Sequence, residues 1–435
     1  MFVLIPFATL IIFTILLLGH FQKRSANQVP WQGAFLLAFS FWGAYLVLLT
    51  EGSSLFKWLS RWPIVAGWSL ALIAILAIGL RSGYLRRGFH AMLSGFRSLT
   101  RFEIVLLSLM AIMAFLLFAV ALATPTNNVD AMDYHMPRVM QWAQNRTLAH
   151  FPSVHASQNQ RPYWAEAVIL HLRVLWGNDQ PAGLVQWFIM IASLIAASGV
   201  AALLGGDRKA QWLTAVLTFS IPMGLLQATT TQNDYVSAFW VVSLAYFVVL
   251  SRKRDLSHLE FLGLSLSFGL GMLTKGTFFP FAGPLMLWFF LGRLQDKRWK
   301  QGVVEGLVLL LLVVATNGLF WGRNIQSTGG PYGPFNPLEM LLGLLPARTS
   351  VSGMEELVIE NTEGGSGTPG GESHGRLSSP FRSSGPSWRG GGWFIQDPEA
   401  DPRLTQLARM VAMNFVSPFS AFNQAYFKAL RSLPE

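Results

Sequence analysis

"RFEIVLLSLMAIMAFLLFAVALATPTNNVDAMDYHMPRVMQW", residues 101–142, joins two unlike kinds of sequence. Its first half, about 103–123, is an apolar run. A bilayer core of about 30 Å needs roughly 20 such residues as helix. Its second half, from Asn127 onward, crowds Asp130, Asp133, Tyr134, His135 and Arg138 together. The rest of the chain decides whether the first half is a buried helix or a membrane span. Of the 435 residues, 52% are hydrophobic and 12% charged, where a soluble domain carries about 25% charged residues. So few charges cannot cover the surface of a protein this size, and lipid is the solvent. The net charge of +10 sits in short loops between apolar runs, which points to membrane topology and not to nucleic acid. With no cysteine, disulfides and thiolate metal sites are excluded. The first apolar run, 2–18, lacks a basic leader and a small-residue cleavage site, so it reads as a retained span.

Ten spans follow from the apolar runs: 2–19, 31–49, 62–80, 103–123, 183–204, 211–228, 235–250, 259–273, 277–292 and 302–322. Alternate short loops hold Lys23 and Arg24; Arg81, Arg86, Arg87, Arg97 and Arg101; Arg208 and Lys209; Arg252, Lys253 and Arg254; and Arg293, Lys297, Arg298 and Lys300. The opposite short loops hold only Lys57, Arg61 and Lys275. Basic residues mark the cytoplasmic side, so the amino terminus is expected outside. The loop 124–182 and the phrases "TTTQND" (229–234), "TKGT" (274–277) and "WGRN" (321–324) then share the outer face. Charge gathered at one surface argues against a transporter or flippase of lipid-linked sugars, the alternative reading. Such proteins bury ionisable groups near the midplane between internal repeats, and no repeat stands out here.

Two helices are expected in the loop 124–182. Met132, Met136, Val139, Met140 and Ala143 form one apolar stripe, with Arg138 on another face. Trp164, Val168, Leu172 and Leu175 form a second, opposite Glu166 and Arg173. Stripes of this kind suit helices lying in the interface plane. Trp142, Tyr163 and Trp164 then fall in the aromatic belt. Asp130 and Asp133 sit where the fourth span emerges, and each has a plain alternative as a helix cap. Capping is equally open for Asn233 and Asp234, and Arg161 is as well placed for anionic headgroups as for a substrate. His135, His150, His155 and His171 fit no metal-ligand spacing. The run 259–273 covers only about 22 Å at 1.5 Å per residue. Lys275 is therefore either drawn below the surface for a function or snorkelling to the headgroups.

These residues together resemble the GT-C glycosyltransferases, in particular the bacterial branch of protein mannosyltransferases and aminoarabinose transferases. An acidic residue after a span, then Tyr, then an interfacial helix is the pattern of that group's first outer loop; it falls on Asp130 and Tyr134. "RPYW" (161–164), "TQND" (231–234), "LTKGT" (273–277) and "WGRN" (321–324) resemble its later phrases in order, from about 103 to 330. Two features depart from it: three spans precede the loop-bearing one, and the chain stops early. The resemblance implies an all-α polytopic bundle in a bacterial inner membrane, with its active site on the periplasmic side. It divides the chain into 1–102, three added spans; 103–330, the core; 331–403, an outer Gly/Ser/Pro-rich loop; and 404–435, a helical segment of a truncated chain. The tract 361–393 is too polar to pack.

The implied reaction moves a sugar from a polyprenyl-phosphate carrier to a glycan, lipid or protein acceptor. Such a transfer needs a base for the acceptor and positive charge for the departing phosphate. The resemblance assigns Asp130 as the base and Asp133 as its support. Lys275 and Arg323 are the phosphate contacts, with Tyr134, Arg161, Asn233, Asp234 and Asn324 as further substrate-binding residues. An acidic pair beside a phosphate can hold Mg2+ or Mn2+, or neither.

Overall fold

The computed structural model describes residues 2–24, 31–126, 128–153 and 155–334. The chain divides into Met1–Leu345 and Pro346–Glu435, and every described residue belongs to the first unit. The expectations for 361–393 and 404–435, and for all but the start of 331–403, lie outside the described residues.

The chain begins with α1 (Leu4–Arg24), α2 (Trp31–Leu55), α3 (Arg61–Ser82), α4 (Tyr84–Arg97) and α5 (Arg101–Ala123). The outer loop carries a π-helical turn (Ala131–His135), α6 (Met136–Asn145), α7 (Ser157–Gln160) and α8 (Trp164–Trp176). There follow α9 (Leu184–Leu203), α10 (Arg208–Phe219), α11 (Pro222–Gln227), α12 (Asp234–Lys253), α13 (His258–Met272), α14 (Phe278–Gln295) and α15 (Trp299–Thr328). A short extended segment, Pro331–Pro334, comes last among the described residues. The protein is an all-α polytopic membrane protein. Among the described residues seven helices are long and apolar enough to cross a bilayer: α1, α2, α3, α5, α9, α12 and α15. The other expected spans are shorter or broken. The run 211–228 splits into α10 and α11, because Pro222 has no N–H to continue a helix and instead starts the next one. α13 has 15 residues, and α14 carries Pro284 within it.

The helices begin where local chemistry permits. Thr100 and Glu103 form a reciprocal capping box at the start of α5, and Ser257 and Glu260 do the same for α13. The basic connections meet one another at one end of the bundle. There Arg208 pairs with Glu103 at 2.5 Å, Arg254 with Glu260 at 2.6 Å, and Arg298 with Asp255. The arginine-rich stretch after α3, expected as a connection between spans, is itself a helix, α4. It docks on α1 through Gly19 and Gly88, so closely that a Cβ on Gly88 would lie 1.9 Å from the Ile15 carbonyl oxygen.

The core is aromatic. Phe39 of α2 meets Phe239 of α12 at 4.5 Å between centroids, Trp164 of α8 meets Trp240 at 5.1 Å, and Trp42 meets Trp68 of α3 at 5.3 Å. The Trp164 indole also donates to the Gly43 carbonyl at 3.2 Å. Spans two and three thus share one core with the helices that follow them. Outward faces, such as Phe102, Leu109, Ile112 and Phe115 of α5, are exposed and apolar, as lipid contact requires.

The outer loop departs from its expected form. α8 is not half-exposed as its stripe suggests: it is buried from Trp164 through Leu172, and its Glu166 is fully enclosed. Trp142, Tyr163 and Trp164 are core residues and not belt residues. On α6 Val139 is buried as its stripe predicts, but Arg138 is buried beside it and Met132, in the turn before, is exposed. The reason is hydrogen bonding. Arg138 donates to the carbonyls of Arg161 (2.8 Å) and Pro162 (3.2 Å) and to Glu166 (3.3 Å), groups that burial would otherwise leave unpaired.

Candidate active site

Four phrases far apart in sequence are tied together at one end of the bundle. The backbone N–H groups of Tyr163 and Trp164 both donate to the Leu273 carbonyl, at 2.7 and 2.8 Å, fastening "RPYW" to "LTKGT". The Asn233 amide donates to the Thr274 carbonyl at 3.2 Å, and Lys275 pairs with Asp234 at 2.7 Å, adding "TQND". The Asn324 amide donates to the Gln160 carbonyl at 3.0 Å and the Pro331 carbonyl at 2.8 Å, adding "WGRN". Asn233 and Asn324 are therefore braces between segments. Asn233 makes no side-chain cap for α12 despite standing at its start.

Tyr134 is the hub. It is buried, and the Arg161 guanidinium lies 4.9 Å from its ring centroid. Burial pushes its phenol far above the ordinary tyrosine range; Arg161 opposes the shift, while Asp130, Glu166 and Asp234 reinforce it. Those charges surround one phenol that stays protonated and can only donate or accept a hydrogen bond. The loop beneath is pinned by a buried trio. His135 meets Glu166 at 2.6 Å and Arg138 meets it at 3.3 Å. Burial alone would raise the Glu166 carboxyl, but Arg138 and His135 outweigh it and hold the group below the usual carboxylate range.

The acidic residues part company. The Asn128 side chain, and not an aspartate, accepts from the Ala131 N–H at 2.9 Å, and neither Asp130 nor the following His135 makes a side-chain cap. Asp133 faces His155 at 3.3 Å. Asp130 is exposed, and its carboxylate makes no hydrogen bond or ion pair among the described residues. The loop histidines do not converge. His171 binds Thr50 and Trp68, each at 2.9 Å, and burial pushes it down to about 3, so it is neutral. Among the described residues no three His, Asp or Glu side chains gather as a metal site.

Arg323 has a partner the sequence reading did not single out. Glu51, near the C-terminal end of α2, receives both terminal nitrogens of its guanidinium, Nη1 and Nη2, at 2.8 and 2.7 Å and accepts the Tyr163 hydroxyl. Glu51 is 5% exposed. A signal was present: it is the sole acidic residue in the first 102 positions.

A cavity of ≈ 580 Å3 lies between the end of α5, the loop helix α6, the start of α9 and the segment before α12. Met132, Met136 and Met140 line one wall, and Thr229, Thr230 and Thr231, which lead directly into Asn233 and Asp234, line another.

With this geometry in place, the comparison with known families is specific. The family model for dolichyl-phosphate-mannose-protein mannosyltransferase matches residues 162–321. The matched stretch runs from Pro162 through the Asp234–Lys275 pair to Trp321. It leaves out Glu51, Asp130, Tyr134 and Arg323. No curated protein matches the chain, and no solved structure does. The match supports a membrane glycosyltransferase of the GT-C type.

Proposed function

We propose that this protein transfers a sugar from a polyprenyl-phosphate carrier to an acceptor at the outer face of a bacterial inner membrane, as the protein-mannosyltransferase and aminoarabinose-transferase branch does. One observation carries the assignment of roles. Of the six charged residues expected in the site, Asp133, Asp234, Lys275 and Arg323 all have a charged or titratable partner at hand. Asp130 and Arg161 have no ion-pair partner among the described residues, and Arg161 lies over the ring of the buried Tyr134. That leaves one carboxylate and one guanidinium of the expected site without a counter-charge.

In this reading Asp130 takes the proton of the acceptor hydroxyl or amine as that atom bonds to the anomeric carbon. The bond from the anomeric carbon to the phosphate oxygen breaks, and its electron pair leaves with the phosphate. Arg161 meets the growing phosphate charge with a planar fork; Lys275, paired but partly exposed, stands behind it as a second positive charge. The methionine wall of the cavity suits the first isoprenyl units of the carrier, and its threonine rim suits the phosphate end. The excess of basic residues in the opposite loops supports placing the site outside the cytoplasm.

The test uses purified protein in detergent with a polyprenyl-phosphate sugar. Asp130→Asn should lower turnover by roughly 10²–10⁴-fold with donor binding kept, and Asp133→Asn should cost less. Full activity in both variants would refute the assignment. Mass spectrometry of lipid and glycan extracts from a deletion strain would identify the acceptor as the species that loses its sugar.

A further inference from the structure

Glu51 lies outside both the family-matched stretch and the expected core, yet it makes the bidentate contact with the cation nearest to that stretch's end. Its span reaches the site for a physical reason. α2 packs in the aromatic core through Phe39 and Trp42, and Gly43 admits the Trp164 indole to its carbonyl, which fixes the height of the outer turn of α2. That turn presents Thr50 to His171 and Glu51 to Arg323 and Tyr163. Tyr163 stands in the segment that carries Arg161 and holds the Lys275 turn through Leu273.

About one fifth of the Arg323 side chain remains accessible. Without Glu51, this partly exposed guanidinium beside the donor site would be a second phosphate trap. We propose that Glu51 is a positioning residue that neutralises Arg323 and takes up its two terminal nitrogens, so that the departing polyprenyl phosphate is held by Arg161 and can leave. The added N-terminal spans thereby supply the counter-charge that lets the site release its product. This rests on the glycosyltransferase reading for the identity of the phosphate.

The idea predicts tighter binding on removing a site residue, a sign that damage to the fold would not give. Glu51→Gln keeps shape and frees the guanidinium, so polyprenyl phosphate should bind and inhibit roughly tenfold more tightly, the scale of one added charge-assisted contact. Glu51→Asp keeps the charge but is too short to hold both terminal nitrogens, and should tighten binding by a few-fold; it serves if Glu51→Gln fails to fold. The double variant E51Q/R323Q removes both charges and should return to the wild-type inhibition constant. Unchanged or weaker binding in both single variants would overturn the proposal, as would tight binding that persists in the double variant. If the wild type itself binds no polyprenyl phosphate, the glycosyltransferase reading fails instead. The Glu51 inference is then decided with inorganic phosphate, which should raise the melting temperature of Glu51→Gln more than that of the wild type and the double variant; equal shifts would overturn it.

Discussion

Replacing Arg161 with methionine separates binding chemistry from fold maintenance. The side chain is exposed, and its one described contact is with the Tyr134 ring at 4.9 Å, worth about 0.5–1 kcal/mol at an exposed site. Its backbone carbonyl, which takes the Arg138 hydrogen bond, is untouched by the substitution. The fold should therefore lose no more than about 1 kcal/mol. A lost charge-assisted contact to phosphate costs about 1.5–3 kcal/mol, which is roughly 10–150-fold in kcat/KM for the donor. Arg161→Lys keeps a point charge without the fork and should fall between. Arg323→Met supplies the contrast. It leaves the nearly enclosed Glu51 without its cation, and breaking a buried pair costs about 3–5 kcal/mol, so activity and melting temperature should fall together. Turnover at sub-saturating donor and thermal unfolding in the same detergent read both quantities. Arg161→Met with wild-type kcat/KM would refute the reasoning, and so would a melting shift as large as that of Arg323→Met.

Two further outcomes follow from the loop and the topology. Glu166 is held below the usual carboxylate range, so its contribution is complete above the unfolded value of about 4.3 and is lost as pH falls through the lower folded value. Thermal stability should accordingly drop on the acid side, and Glu166→Gln should flatten that drop while costing about 3–5 kcal/mol at neutral pH by leaving Arg138 without a counter-charge; an unchanged acid limb in the variant would count against the trio. Reporters fused at Arg87 and Arg254 should read cytoplasmic and one at Gln158 outside, and a cytoplasmic signal at Gln158 would place the acidic loop on the wrong side.

Apolar length located seven of the ten expected spans because the bilayer imposes it, and it failed at 211–228, where a run of apolar residues conceals the break at Pro222. The phrases around Asn233, Lys275 and Asn324 could be placed on one face from the alternation of basic loops. Periodicity failed inside the loop. It assigned Arg138 and Glu166 to a wet face, since a stripe of side chains cannot reveal that two backbone carbonyls nearby need a donor. The same limit put Tyr163 and Trp164 in the interface, when the Leu273 carbonyl fixes their backbone within the bundle. Glu51 belongs to no cluster of charge, and its signal in the sequence is isolation. Lys275 and Arg323 were identified as cations at the right height, but sequence carries no distance, and only the fold supplies their carboxylate partners.

The separation of Glu51 and Arg323 by 272 positions has a bearing on biogenesis. At about 5–20 residues per second of synthesis, the acid waits in the nascent bundle for roughly 15–55 seconds before its arginine is made. Until then α2 carries an acid without its partner, and the arrival of α15 supplies the guanidinium that joins the two helices. A contact between an early helix and one made so much later forms only after the helices between them have been synthesised.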